Sequence, residues 1–319
     1  MQQFKNILFF SDSALKQDDA LLRVGALAKR NNARLTILSV IKVLPSELHL
    51  TMAGVELRDF QKEILYDAQA QVDELANNLK HIGVDVQAKT AVGTAFVEVI
   101  REVLREQHDL VVLAAEGKRS FITRLFGSTS MHLMRKCPCP VWVIMPGAGE
   151  SYDRILAAVD VSSDPWDETK QLINPLILRL ASALARVEKS DLHVVQVWSV
   201  DQEGYLQIRG NMTDQALNKL RRETKREYVE KLDSLLKSVD LNGAGRLHTH
   251  LIRGDDPASS IIKLARREKI DLLVMGTVCR TGLAGFIIGN TAEDVLSALN
   301  CSVLTVKPEG FVSPVTLEG

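Results

Sequence analysis

Cysteine is scarce: Cys137, Cys139, Cys279 and Cys301 are the only four in 319 residues. None belongs to a CxxC pair, which argues against a zinc ribbon, and so sparse a count reads as buried thiols of a reducing compartment. Excess charge is lacking too. Lys and Arg number 39 against 40 Asp and Glu, a formal net charge of −1, so the electrostatic footprint of a dedicated nucleic-acid binder is missing. A small anion gripped by backbone groups stays compatible with that balance. Long apolar runs are absent as well. The run at Ile7–Phe10 is too short for a signal-peptide core, and the greasiest stretch, Leu172 to Ala185, is broken by Asn174, Pro175 and Arg179. No segment reads as a membrane span, and a cytoplasmic location is expected.

What is present is ordinary globular material, 46% apolar and 25% charged, in a chain long enough for two domains of about 150 residues. Self-similarity sharpens that count. Lys5-Asn-Ile-Leu-Phe-Phe-Ser-Asp12 matches Asp153-Arg-Ile-Leu-Ala-Ala-Val-Asp160, a short apolar strand ending in an acid. Further on, Asp109-Leu-Val-Val-Leu-Ala matches Asp271-Leu-Leu-Val-Met-Gly, and at the same offset Gly127 falls on Gly289, Thr129 on Thr291, Cys139 on Cys301, Val141 on Val303 and Pro146 on Pro308. An ordered series at one offset is the mark of a tandem duplication. Pro146-Gly-Ala-Gly-Glu-Ser-Tyr152 reads as the linker. The division expected is 1–147, 153–310 and a short tail, 311–319.

Within each half, strands and helices alternate. The first half reads as strand 7–10, helix 16–31, strand 34–43, helix 56–81, strand 85–91, helix 96–106, strand 110–114, helix 129–136 and strand 141–144. The long helix carries Ile64, Leu65, Ala68, Val72, Leu75 and Leu79 at three-and-four spacing. The second half offers strands near 155–159, 192–199, 246–252, 272–275 and 303–306. Strands apolar on both faces between helices imply a covered parallel sheet. The fold class is α/β: two tandem doubly wound, Rossmann-like domains, each with a five-stranded parallel sheet.

In such sheets ligands sit beyond the carboxyl ends of the strands. The most unusual loop there follows the fourth strand: Ala114-Ala-Glu-Gly117 … Phe126-Gly127-Ser128-Thr129, and its partner Gly276-Thr-Val-Cys279 … Ile288-Gly289-Asn290-Thr291. Glycines let backbone N–H groups approach phosphate oxygens, and the helix start that follows favours an anion. The plainer reading makes the glycines turn residues and Ser128 or Thr129 an N-cap.

The loop spacing, the acid closing each first strand, and the Cys-Pro-Val or Cys-Ser-Val lead-in to each last strand together resemble the universal stress protein family, twice over and in its tandem form. The resemblance implies a nucleotide-alpha-hydrolase-like fold, a role in stress survival including tolerance of DNA-damaging agents, and ATP or another adenine nucleotide as ligand. In nucleotide-binding members a G-x2-G-x9-G-(S/T) loop wraps the phosphates, while the first-strand acid and a second-strand Val hold ribose and adenine. Carried over, the first half offers Asp12, Val40, Gly117, Gly127 and Ser128, with Ala114 where the first Gly belongs. The second offers Asp160, Val197, Gly276, Gly289 and Asn290, with Cys279 in place of the second Gly and Asn290 in place of Ser or Thr. A sulfur at 279 would take phosphate space, so the first half is favoured for a triphosphate. The resemblance also implies pairing of the last strands, 141–144 with 303–306, as a pseudo-dimer inside one chain, with further homodimerisation open.

Catalysis has little support: GxSxG, GxxxxGK[ST], HExxH, HxGH and SGGxDS are all absent. Binding with at most slow ATP hydrolysis is expected. His248 and His250 share a strand face, but no third ligand is apparent, so solvent-facing histidines are expected rather than a metal site. Asp164-Pro165-Trp166-Asp167-Glu168 reads as a helix start. Arg221-Arg222-Glu-Thr-Lys-Arg226 alternates with Glu223 and Glu227 and reads as a solvated face. Two inserted loops, Leu44–Met52 and Gly204–Gly210, are unusually apolar. They either pack over a neighbouring helix or, as the alternative, line a pocket for an apolar or amphipathic small molecule in the second half. A ligand-free interaction scaffold is the third possibility.

Overall fold

The computed structural model describes residues 4–43, 57–116, 126–149, 151–162, 168–200, 202–208, 212–277 and 289–317. In chain order the elements are β1 (Asn6–Ser11), α1 (Asp18–Asn31), β2 (Arg34–Ile41), α2 (Leu57–His81), β3 (Val86–Val92), α3 (Ala95–Glu106), β4 (Leu110–Ala114), α4 (Ser128–Lys136) and β5 (Val141–Ile144). There follow β6 (Arg154–Ala158), α5 (Glu168–Glu188), β7 (Asp191–Trp198), α6 (Glu203–Ile208), α7 (Asp214–Lys237), β8 (Leu247–Arg253), α8 (Pro257–Arg267), β9 (Leu272–Gly276), α9 (Asn290–Ala298) and β10 (Ser302–Val306). Boundaries fall within about two residues of those read from the apolar periodicity. The fold is of the α/β type with a mostly parallel sheet and two tandem domains.

The chain divides into two compact units, Met1–Glu150 with Asn300–Gly319, and Ser151–Leu299. In the first, β3-β2-β1-β4-β5 are parallel neighbours, in that order. Every residue of β4 and β5 is buried, as strands covered by helices on both faces must be. In the second unit, β8-β7-β6-β9 are parallel neighbours. The last strands pair with each other, as the family resemblance implied. β10, the last strand of the second half, belongs to the first unit, where it lies antiparallel on β5, with Val303 opposite Val143 and Thr305 opposite Val141. The reason is physical: β5 would otherwise leave a row of unpaired N–H and C=O groups along its outer edge.

Local chemistry sets the helix ends. α1 starts with Asp18 and Asp19, finishes with Lys29 and Arg30, and stops at Asn32 in the left-handed region (φ 47°). Thr213 caps α7 by accepting from the Ala216 N–H (3.2 Å). Asp256 caps α8 through the Ser259 N–H (3.3 Å), with Pro257 in the first turn. The start of the linker is held against α1. Gly147 N–H donates to Asp19 Oδ2 (2.7 Å), and Arg23 Nη2 donates to the carbonyls of Ala148 (3.1 Å) and Gly149 (2.9 Å). Among the described residues no helix is long and apolar enough to cross a membrane.

Candidate functional site

Strand order reverses between β1 and β4 in the first unit and between β6 and β9 in the second, so a crevice opens beyond those strand ends. Both first-strand acids lie there and share one local geometry. Asp12 Oδ1 accepts from the Ala14 N–H and Asp160 Oδ1 from the Ser162 N–H, each at 3.0 Å, the short Asx turn that ends a strand with its carboxylate facing outward. In the second unit the turn is braced from behind. Asn174 Nδ2 donates to the Asp160 carbonyl (2.8 Å), and its Oδ1 accepts from the Asp160 N–H (3.1 Å).

Beside Asp160 the second unit has an open-mouthed cavity of about 440 Å³. Asp160, Val197, Gly276, Gly289 and Thr291, all marked by the sequence, reach it together. Asn290 opens α9 next to them and is exposed. The walls are mainly apolar, with Ile173, Ile177 and Met275 below and the Trp198–Tyr228 ring pair, centroids 6.4 Å apart, to one side. Gln196 is the polar counterweight: its Oε1 accepts from the Val161 N–H at 2.7 Å. Such a cavity, apolar with a few fixed polar groups, has the make-up of a small-molecule site.

The glycines act through space, not backbone freedom. Gly127 and Gly289 have φ of −67° and −63°, which any residue can adopt. They, and not Ser128 or Asn290, hold the N-cap positions, and as glycines they offer the starts of α4 and α9 no side-chain cap. At Gly127 an added Cβ would fall 1.5 Å from Glu116 Oε1, because the Glu116 carboxylate lies across the glycine. At Gly276 a Cβ would meet Ile173 Cδ1 at 2.6 Å. In the first unit, then, a carboxylate sits at the helix start where the sequence reading put a phosphate. Val40 lies half-buried on β2, Ala114 is buried at the end of β4, and Ser128 and Thr129 open α4. Gly117 and Cys279 fall outside the described residues, as do Leu44–Met52 and Asp164–Asp167.

Three further features differ from expectation. The segment from Gly204 is no bare loop: Glu203–Ile208 forms α6, and Glu203 accepts hydrogen bonds from Arg221 and from Arg253 Nη2 (2.7 Å), which hold its carboxyl below the usual range. Arg221 therefore leaves the solvated face to reach α6, while Lys231–Glu227 (2.6 Å) and Arg226–Glu230 (3.7 Å) follow helical spacing as expected. His248, with 40% of its side chain exposed, and the half-buried His250 do more than face solvent. They stack on His193 of β7, centroids 4.5 and 5.2 Å away, and His193 Nδ1 lies 3.0 Å from His250 Nε2. Sequence reasoning also missed Asn174, Trp198 and Tyr228. Trp198 alone left a signal, as an aromatic at the carboxyl end of a predicted strand.

A doubly wound sheet laid down twice, each copy with an acid after its first strand and a glycine-led helix start beside it, defines a duplicated α/β protein. The family model described as the universal stress protein family matches residues 3–145 and again 151–307. The chain belongs to that family. It is similar to universal stress protein E of Photorhabdus laumondii, with 24% identity over 318 residues covering 99% of this chain and 98% of that protein. It is similar also to universal stress protein E of Escherichia coli K12, at 25% over 320 residues, 100% of this chain and 98% of that one. Among solved structures, a universal stress protein from Archaeoglobus fulgidus superposes with a TM-score of 0.67 at 16% identity, over 96% of this chain and 99% of that one. A Pseudomonas aeruginosa protein described as functionally unknown also reaches 0.67, at 24% identity over 96% and 93%. At these identities the structures speak for the fold alone.

Proposed function

We propose that this protein acts by holding a small molecule and not by turnover, and that the second unit's cavity is its main site. The observation that carries this reading is the 440 Å³ cavity with Asp160 braced at its rim by Asn174. The family resemblance supplies the ligand class, an adenine nucleotide or nucleoside: Asp160 would meet the ribose hydroxyls, Val197 and the Trp198–Tyr228 pair the base, and the uncapped start of α9 a phosphate. With Cys279 and Asn290 in its loop, this site favours the nucleoside end over a triphosphate. The first unit, with Asp12, Val40, Gly127 and Ser128, is the second nucleotide candidate, its helix start already faced by Glu116. By the same resemblance the ligand would serve survival under stress, tolerance of DNA-damaging agents included, in the cytoplasm.

A second reading has its own support. The cavity floor of Ile173, Ile177, Met275 and Ile261 favours an apolar or amphipathic ligand of no nucleotide kind. Native mass spectrometry of the intact chain distinguishes the two, by an adenine-containing mass or a lipid-like mass released on denaturation. Calorimetric titration of adenosine and ATP then tests the first directly. Binding that is lost in Asp160→Ala and kept in Asp12→Ala supports the second-unit site. No binding of either compound by the intact chain would overturn the nucleotide reading.

A further inference from the structure

We propose that Cys137 and Cys139 form a peroxide-sensitive dithiol, which closes to an intrachain disulfide beside the buried ammonium of Lys307. The Cys-Pro-Cys-Pro run places one thiol at the C-cap of α4 and the other just before β5. Their sulfurs stand 3.5 Å apart. A disulfide needs them at about 2.05 Å, a closure that side-chain rotation and a small shift of the connecting Pro138 can supply. Cys137 is fully buried and Cys139 is 9% exposed, so the pair lies one side chain below the surface.

Lys307 is what separates this pair from two inert core thiols. It follows β10, and continuing the β5–β10 register by two residues places it opposite Cys139. Only 5% of it is exposed, its Nζ donates to the Met134 carbonyl (2.5 Å), and it lies over the Phe311 ring, 5.3 Å from the centroid. Burial pulls Lys307 down to about 8, while the two thiols draw it back up. Burial would raise Cys137, but its hydrogen bonds with the Cys139 thiol and backbone, together with the Lys307 charge, bring it below the usual thiol value. Cys139 is driven upward by the same hydrogen bond and by burial. One sulfur is thus prepared as the thiolate and the other as its proton donor. A fixed cation at this point opposes a metal ion and favours the anionic nucleophile, so the arrangement suits redox chemistry better than coordination. The depth of the pair selects a small neutral oxidant, hydrogen peroxide, over a protein disulfide.

The steps balance as follows. The Cys137 thiolate attacks one peroxide oxygen, the O–O bond breaks, and the sulfur is oxidised to a sulfenic acid. The departing hydroxide takes the Cys139 proton and leaves as water. The Cys139 thiolate then attacks the sulfenic sulfur, the S–S bond forms, the S–O bond breaks, and this second hydroxide takes a proton from solvent. Two thiols and one peroxide become one disulfide and two waters.

The test treats the intact chain with hydrogen peroxide at pH 7, alkylates remaining thiols, and maps peptides by mass. The peptide carrying residues 137 and 139 should lose two hydrogens, take up no alkyl group, and recover both thiols after dithiothreitol. Cys137→Ser and Cys139→Ser should each abolish the change, and Lys307→Met should slow it about tenfold. Two alkyl groups on that peptide after peroxide, or sulfinic and sulfonic acids without a disulfide, would overturn the proposal. A wild-type rate in a folded Lys307→Met protein would overturn the role of Lys307. If that variant does not fold, Lys307→Arg, which keeps the charge, should react at close to the wild-type rate, and the wild-type peptide map decides independently.

Discussion

Asn174 grips the backbone of Asp160 on both sides, donating to its carbonyl at 2.8 Å and accepting from its N–H at 3.1 Å. Asn174 lies in α5, one position before Pro175, and is 5% exposed, so these bonds form away from water. Asn174→Ala would remove both of these buried bonds to the turn, at a cost of about 2–3 kcal/mol. Thermal unfolding of the intact chain should drop by roughly 5–10 °C. Adenosine affinity should fall with it, since the Asp160 carboxylate depends on that turn for its direction. An unchanged melting temperature would mean that the turn holds itself.

The end of β9 offers a test of the cavity. A Cβ at Gly276 would approach the Ile173 Cδ1 methyl at 2.6 Å, and the next atom, Ile173 Cγ1, is at 3.5 Å. The Ile173 tip can turn away, so Gly276→Ala should cost only about 1 kcal/mol in urea unfolding. Gly276→Val carries its extra methyls into the cavity and should weaken ligand binding about tenfold, or about 1.4 kcal/mol. If calorimetry shows Gly276→Val binding as the wild type does, the ligand sits elsewhere.

The strands and most helices could be read from the sequence because buried parallel strands are apolar without interruption and the duplication prints every signal twice. Asp12 and Asp160 were legible for the same reason. Asn174 was not, because a polar residue inside a greasy helix looks like a flaw until its partner at the end of β6 is seen. His193 was hidden in the same way: it stands 55 residues before His248 and meets it only through the β7–β8 register. The pairing of β10 with β5 came from the family resemblance and not from the strands themselves, since a strand's sequence records that it is buried and not which edge it covers. The glycines were legible in place, and at 127 and 276 the neighbours that a Cβ would meet, Glu116 and Ile173, were not.

At the start of α4 the Glu116 carboxylate occupies the space beside Gly127. A carboxylate there repels the anion that the uncapped helix start would attract. Glu116→Gln removes that charge and keeps the shape, so it should raise the affinity of the intact chain for ATP about tenfold if the first unit takes phosphate. Stability should change by less than about 0.5 kcal/mol, because Glu116 is exposed. A titration showing no gain would remove the first unit from the nucleotide reading.

The stacked histidines make the second unit sensitive to acid. Burial first, and then the charges of His248 and His250, lower His193 to about 4, while Glu268 and Asp191 oppose the shift. His250 is lowered as well, chiefly by burial. A histidine depressed in the folded state binds its proton more readily once unfolded, near its ordinary value of about 6.5. Its contribution to stability is therefore whole above that value, declines as pH falls from about 6.5 towards about 4, and is lost below. Allowing for solvent at the edge strand, the loss should be about 2 kcal/mol. Urea unfolding of the intact chain at stepped pH should show this slope, and His193→Gln should flatten it while leaving stability at pH 5 at or above that of the wild type. A slope that survives in His193→Gln would assign the acid sensitivity to other groups.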